Sequence, residues 1–191
     1  MFFLKYILLF IVLPLFSVAS SQVQSVSKMS VSKQSWFISV HCGYQMSGIK
    51  SEDFVSSNYT PLFSFSSGKW LSPWIGFQFG YKGFFFNYIG DDIKHHYKFF
   101  YGEAVINVND ALMPSRKNRN YALLLHAGPG YFYNYFYDRP NICANIGMQA
   151  AYRLAEQIQI NLGIAAIIGW DIYQGDEDIL PGITVGFGYY F

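Results

Sequence analysis

The residues best able to do chemistry are four histidines, His41, His95, His96 and His126, two cysteines, Cys42 and Cys143, and a small set of carboxylates. His95 and His96 follow Asp91 and Asp92, a combination that could hold a metal or move a proton. Adjacent side chains of an extended chain point opposite ways, however, and no third ligand stands at a metal-site spacing, so no metal is expected. A nucleophilic set would need a serine beside the same histidines, and the nearest candidate serines lie in the distant segment 48–58. No catalytic residue and no cofactor site are assigned. Lys82, Glu103, Arg153 and Asp171, two of each sign, are the charges spaced to share one interior, where they would pair or hydrogen-bond. Asp176, Glu177 and Asp178 form the densest acidic run. It could bridge divalent cations to a charged surface or bind a basic partner, and its simplest role is a solvated loop.

What can position these groups is legible in an alternation of period two. Trp36, Ile38, Val40, Cys42, Tyr44 and Met46 share one face, against Ser39, His41, Gly43, Gln45 and Ser47, with Phe37 the exception. The segment 59–69 repeats the pattern weakly with Phe63 and Phe65 against Ser64 and Ser66. Ile75, Phe77, Phe79, Tyr81 and Phe85 oppose Gly76, Gln78, Gly80 and Lys82. A fourth strand sets Phe100, Ala104, Ile106 and Val108 against Tyr101, Glu103, Val105 and Asn107. A fifth sets Tyr121, Leu123, Leu125, Ala127, Tyr131 and Tyr133 against Ala122, His126, Gly128 and Gly130. In the sixth, Ile142 to Tyr152 oppose Cys143, Asn145, Gly147, Gln149 and Arg153; in the seventh, Ile158 to Trp170 oppose Gln159, Asn161, Gly163 and Asp171. The last runs from Gly182 to Phe191, with Ile183, Val185, Phe187, Tyr189 and Phe191 on one side and mainly glycine on the other.

Eight strands of about 9–13 residues are long enough to cross a membrane at a tilt. Hydrophobic residues make up 52% of the chain, aromatic residues 20% and charged residues 13%. The bulkier face therefore belongs outside, toward lipid, and the Gly, Asn and Gln face inside, the reverse of a soluble barrel. Trp36, Tyr44, Tyr121, Tyr131, Tyr152 and Trp170 fall near strand ends, as interfacial girdles require. The expected fold is an all-β, eight-stranded antiparallel up-and-down transmembrane β-barrel over residues 36–191.

Before it, Lys5, an apolar run and Val18-Ala19-Ser20-Ser21 read as a secretory signal peptide, residues 1–21, cleaved after Ser20 or Ser21. The apolar run is too short to span as a helix. Residues 22–35, without an aromatic, read as a flexible periplasmic tail. Losing Lys5 takes the formal charge from +1 to zero, which gives no electrostatic reason to bind nucleic acid. Cys42 and Cys143 fall on opposite faces of non-adjacent strands, so they are expected as two unpaired thiols. With the amino terminus periplasmic, the outer loops are 48–58, 87–96, 134–141 and 173–179, with eight acids against three bases. The periplasmic turns are 71–73, the long basic 110–119, and 154–156.

Several motifs together carry a resemblance: Gly68-Lys69-Trp70 with Pro73, Gly102-Glu103 entering Val105-Ile106-Asn107-Val108-Asn109, Arg119-Asn120-Tyr121, Ala127-Gly128-Pro129-Gly130-Tyr131, and the Gly-rich aromatic last strand. With these the chain resembles small outer-membrane β-barrel proteins of the Bacteroides type, similar to the OmpA membrane barrel and to OmpX. The resemblance implies the cell outer membrane and insertion by the barrel assembly machinery, whose signal resembles Phe187, Tyr189 and Phe191. It does not carry over peptidoglycan anchoring, since the peptidoglycan-binding domain of many relatives is not in this chain. The expected partners are outer-membrane lipid and lipopolysaccharide, the barrel is expected as a monomer, and the expected role is structural or surface-interactive with a side-chain-plugged lumen. A narrow porin and a lipid-modifying barrel enzyme are the rivals.

Overall fold

The computed structural model describes residues 35–47, 59–88, 93–113, 120–170, 172 and 177–191; for residues 85–88, 93, 94 and 177 it describes the backbone alone. The expected signal peptide and residues 22–34 of the expected tail lie outside the described residues. Eight strands, β1 (Trp36–Met46), β2 (Tyr59–Trp70), β3 (Ile75–Tyr88), β4 (Ile93–Asn107), β5 (Tyr121–Asn134), β6 (Arg139–Arg153), β7 (Ile158–Trp170) and β8 (Glu177–Tyr190), follow one another around a closed barrel. Each is antiparallel to the next, and β1 pairs with β8 to remove the edge. Closure is completed by the last residue. Trp36 N donates to Phe191 O at 3.0 Å, and Phe191 N donates to Trp36 O at 3.0 Å. No backbone edge remains at this seam, which is the condition for a sheet to sit in lipid.

The alternation in the sequence maps onto the wall. Along β1 every second residue from Trp36 is exposed until Tyr44, while Phe37, Ser39, His41 and Gln45 are buried. The buried set includes Lys82, Glu103, His126, Asn145 and Asn161, while Ile142, Leu162, Ile183 and Phe187 are exposed. The buried polar side chains thus face in, and the outward face is mainly apolar.

The connections at the end carrying both termini are tight where expected. Leu71 N and Ser72 N donate to Ile75 O, and Ser72 Oγ accepts from Trp74 N and Ile75 N. That side-chain turn accommodates Pro73, which has no N–H to place. Leu154 N donates to Ile158 O in the last turn. Between β4 and β5 the chain forms α1 (Val108–Leu112), capped by Asn107, whose Oδ1 accepts from Asn109 N and Asp110 N. Asn109 Oδ1 in turn accepts from Leu123 N at 2.7 Å, tying α1 to β5.

At the far end the strands run longer than the sequence implied. β4 begins at Ile93, so His95 and His96 belong to a strand and not to a loop. The β5–β6 connection shrinks to four residues, 135–138. Asp138 there has φ 51°, a left-handed conformation an aspartate tolerates, and accepts a hydrogen bond from Tyr133 Oη. β8 begins at Glu177, inside the expected loop 173–179. β2 reaches Trp70, which turns inward. Phe84 departs from the alternation. Its φ of 130° turns the ring outward, where it lies 5.8 Å from the ring of Phe63.

Candidate functional site

The interior is the first candidate site, and it is layered. Nearest the termini, Phe37, Trp70, Val105, Ala122, Leu124 and Ala151 form an apolar layer with Tyr190 packed against it. Toward the far end, Tyr97, Phe99, Tyr101, Phe132, Cys143, Ile167, Ile172 and Leu180 form a second. Tyr97 and Phe132 stack there with ring centroids 4.9 Å apart. Between the layers lies a polar belt.

The belt is built around Glu103. Its Oε2 accepts from Gln78 Nε2 at 2.6 Å and lies 3.0 Å from His126 Nδ1. Its Oε1 accepts from Asn145 Nδ2, and Asn145 Oδ1 accepts from Lys82 Nζ at 2.8 Å. Lys82 and Glu103 are therefore joined through an amide rather than in direct contact. Asn145, with no accessible surface, supplies donor and acceptor at once. Lys82 Nζ also lies 5.4 Å from the centre of the Tyr101 ring. Gln159 donates to Asn161, whose amide is 3.5 Å from His41 Nε2. The belt meets the far layer through Tyr97 Oη, which donates to Gln45 Oε1 at 2.6 Å, and through Ser64 Oγ, 3.3 Å from Tyr101 Oη.

Of the four charges assigned to one interior network, Lys82 and Glu103 come together. Arg153 sits apart at the terminal end, its guanidinium 5.8 Å from the Tyr190 ring, and Asp171 lies outside the described residues. Of the acidic run, Asp176 lies outside the described residues, Glu177 starts β8, and Asp178 is buried. Asp178 is thus wall rather than loop, because β7 and β8 stay paired as far as Trp170 and Glu177. His95 and His96 point opposite ways. His95 is buried and stacked 4.2 Å from the Phe136 ring, while His96 is exposed. Among the described residues no three His, Cys, Asp or Glu side chains group to hold a metal. Cys42 is exposed and Cys143 buried, and neither forms a disulfide. Phe187, Tyr189 and Phe191 all face outward, with Tyr189 and Phe191 rings stacked 6.3 Å apart.

Sequence reasoning missed the aromatic layer. Phe99 and Phe132 stand at inward positions of the alternation, but a rule sending every bulky residue outward passes over them. The signal available was glycine. A Cβ on Gly130 would stand 2.2 Å from Phe99 Cζ, so the ring uses space that only glycine leaves.

One cavity of about 20 Å³ lies among His41, Lys82, Tyr101, His126 and Thr184, and one of about 10 Å³ among Phe37, Trp70, Gln149, Gln159 and Tyr190. Each is near the ~10–15 Å³ that one water needs. The larger concavities are outside. A groove of about 770 Å³ runs between α1 and the outward faces of β5 to β8, and another of about 570 Å³ lies nearer the far end.

No family model matches the chain, and no curated protein matches it. Solved structures do match in fold. Neisserial surface protein A superposes with a TM-score of 0.58 at 10% identity, covering 82% of this chain and 97% of that one. Ail, the attachment invasion locus protein of Yersinia pestis, in complex with the heparin analogue sucrose octasulfate, gives 0.53 at 13% identity over 83% and 99%. The amino-terminal β-barrel domain of Pseudomonas aeruginosa OprF gives 0.50 at 12% identity over 82% and 98%. The fold is that of small eight-stranded outer-membrane barrels.

Proposed function

We propose that this chain is an integral outer-membrane β-barrel with a structural or surface-interaction role and a lumen filled by its own side chains. The observation that carries the reading is the layered interior: among the described residues an aromatic and aliphatic layer at each end encloses a hydrogen-bonded polar belt, with cavities of about 10 and 20 Å³ beside it. A hydrated ion crossing such an interior would have to displace Tyr97, Phe99 and Phe132 at one end and Phe37 and Trp70 at the other. An eight-stranded barrel is just wide enough for side chains to fill, which agrees with this reading. The outward apolar face supports placement in lipid, and the relatives in fold are outer-membrane proteins. On this reading residues 1–21 are removed on export, the outward Phe187, Tyr189 and Phe191 are offered to the assembly machinery, and the folded protein is a monomer without enzymatic activity. The likeness to the Bacteroides type rests on the sequence motifs above.

Single-channel recording in planar bilayers tests the filled lumen. Purified protein is expected to give no reproducible conductance steps at neutral pH. Stable unitary steps would replace this reading with the narrow porin. Lipid A mass spectra from cells with and without the gene test the non-enzymatic role, and unchanged spectra are expected.

A further inference from the structure

Among the residues whose side chains are described, the outward faces of the strands carry lysine at two places, Lys69 near the terminal end and Lys98 near the far end. Each lies on an aromatic. Lys69 Nζ is 5.1 Å from the centre of the Trp36 ring, whereas Lys98 Nζ lies over two rings, 4.8 Å from Tyr133 and 5.2 Å from Tyr135. Those rings meet edge to face, 5.0 Å apart at 82°, and form a corner around the ammonium. Tyr133 Oη donates to Asp138, which orients its ring, and Tyr135 N donates to His96 O at 3.0 Å, which ties the backbone at Tyr135 to β4. Exposed His96 precedes Lys98 by one step on the same outward row. Among the described residues no carboxylate forms an ion pair with Lys98.

The level of this corner decides what it meets. Lys98 pairs with Tyr133 across the β4–β5 ladder, and Tyr121 and Tyr133 lie at opposite ends of the outward row of β5. At ~3.3 Å per residue and a tilt near 40°, that row rises about 30 Å, just beyond an apolar band of about 25 Å. The ammonium therefore sits at headgroup level, beside the hydrocarbon, where a cation meets the anionic groups of lipid. An ordinary interfacial lysine extends freely toward water. Lys98 is instead half-buried, with its ammonium held over the Tyr133 and Tyr135 rings.

We infer that Lys98, seated on Tyr133 and Tyr135 with His96 beside it, binds a phosphate group on the headgroup of an outer-leaflet glycolipid. The inference rests on the outer-membrane reading above and adds a specific binding site to it. The tyrosine corner pre-positions the charge, so a phosphate gains an ion pair without first ordering a free lysine chain.

The test uses the full-length mature protein in phosphatidylcholine nanodiscs carrying bisphosphorylated lipid A, with lipid retention read by native mass spectrometry. Lys98→Gln is expected to bind lipid A about fivefold more weakly, the effect of one interfacial cation. Lys69→Gln, an outward lysine at the opposite end, is expected to bind as the wild type does. Dephosphorylated lipid A should abolish the difference between the wild type and Lys98→Gln, and inorganic phosphate at the same concentration should not compete. Unchanged retention in Lys98→Gln, equal loss in Lys69→Gln, or equal binding of dephosphorylated lipid A by the wild type would each overturn the inference. Competition by inorganic phosphate would overturn its lipid source. Heat-modifiable migration of both variants shows that the barrel is intact. Fractionation of cells separately examines the outer-membrane placement, whose failure would leave the nanodisc comparison readable.

Discussion

Asn145 holds the interior together because one amide serves two opposite charges. Its carbonyl accepts from Lys82 and its amide donates to Glu103, so neither ion needs to reach the other. Removing it leaves both charges enclosed and short of a partner, which costs far more than one ordinary hydrogen bond. Asn145→Ala is expected to destabilise the barrel by about 3 kcal/mol, read as a lower urea midpoint for loss of the folded band. Replacing the pair together, Lys82→Met with Glu103→Met, should cost less than either single change, because no ion is then left alone; a double-mutant cycle measures the difference. The cysteines make a simpler prediction. Alkylation without reduction, in denaturant, should add two adducts, and in the folded protein in lipid neither Cys42, which faces hydrocarbon, nor buried Cys143 should react with a charged, water-soluble reagent. The alternation had placed these thiols on opposite faces, and it had placed Lys82 and Glu103 inside. It could not join the two charges through Asn145, because a bond across 42 positions depends on how the wall closes.

At the scale of the element, glycine and caps carry the local decisions. At the seam between β1 and β8, Gly186 lies against His41, and a Cβ there would stand 2.1 Å from His41 Cδ2 and 2.5 Å from Val40 O. Backbone cannot yield as a side-chain tip can, so Gly186→Val should sharply lower the fraction that refolds into lipid, while Val185→Ile on the outward face should not; gel shift after refolding reads both. Asn107 caps α1 and anchors the turn from β4 to β5, so Asn107→Ala is expected to cost about 1 kcal/mol by the same denaturant measurement. Strand identity and facing were legible wherever apolar and small residues alternate, as in β1, β5, β6 and β8. Strand ends at the far rim were not. There the sequence turns polar, with His95, His96, Asn134, Arg139 and Asp178, which reads as loop. Pairing to the next strand satisfies that backbone whatever the side chains are, and the barrel wall rises with it.

For the molecule as a whole, inside and outside are exchanged relative to a water-soluble barrel. Apolar side chains outside can gain nothing from water, so the folded state is expected only in lipid or detergent. An unboiled sample should run faster than a boiled one on a denaturing gel, and identical migration would contradict a stable closed barrel. The sequence by itself determined the number of strands, their antiparallel succession and, where the alternation is unbroken, which residues face out, since each follows from a local period of two and from turn residues nearby. It also determined that the interior would carry charge, because Lys82 and Glu103 share the inward parity. Only the tertiary structure decided how that interior is filled: two aromatic and aliphatic layers enclosing a polar belt, with Arg153 left at one end and Lys98 lodged on two tyrosines outside. Those outcomes depend on register around a closed ring, where each strand's height is set by all the others, and no single segment encodes that.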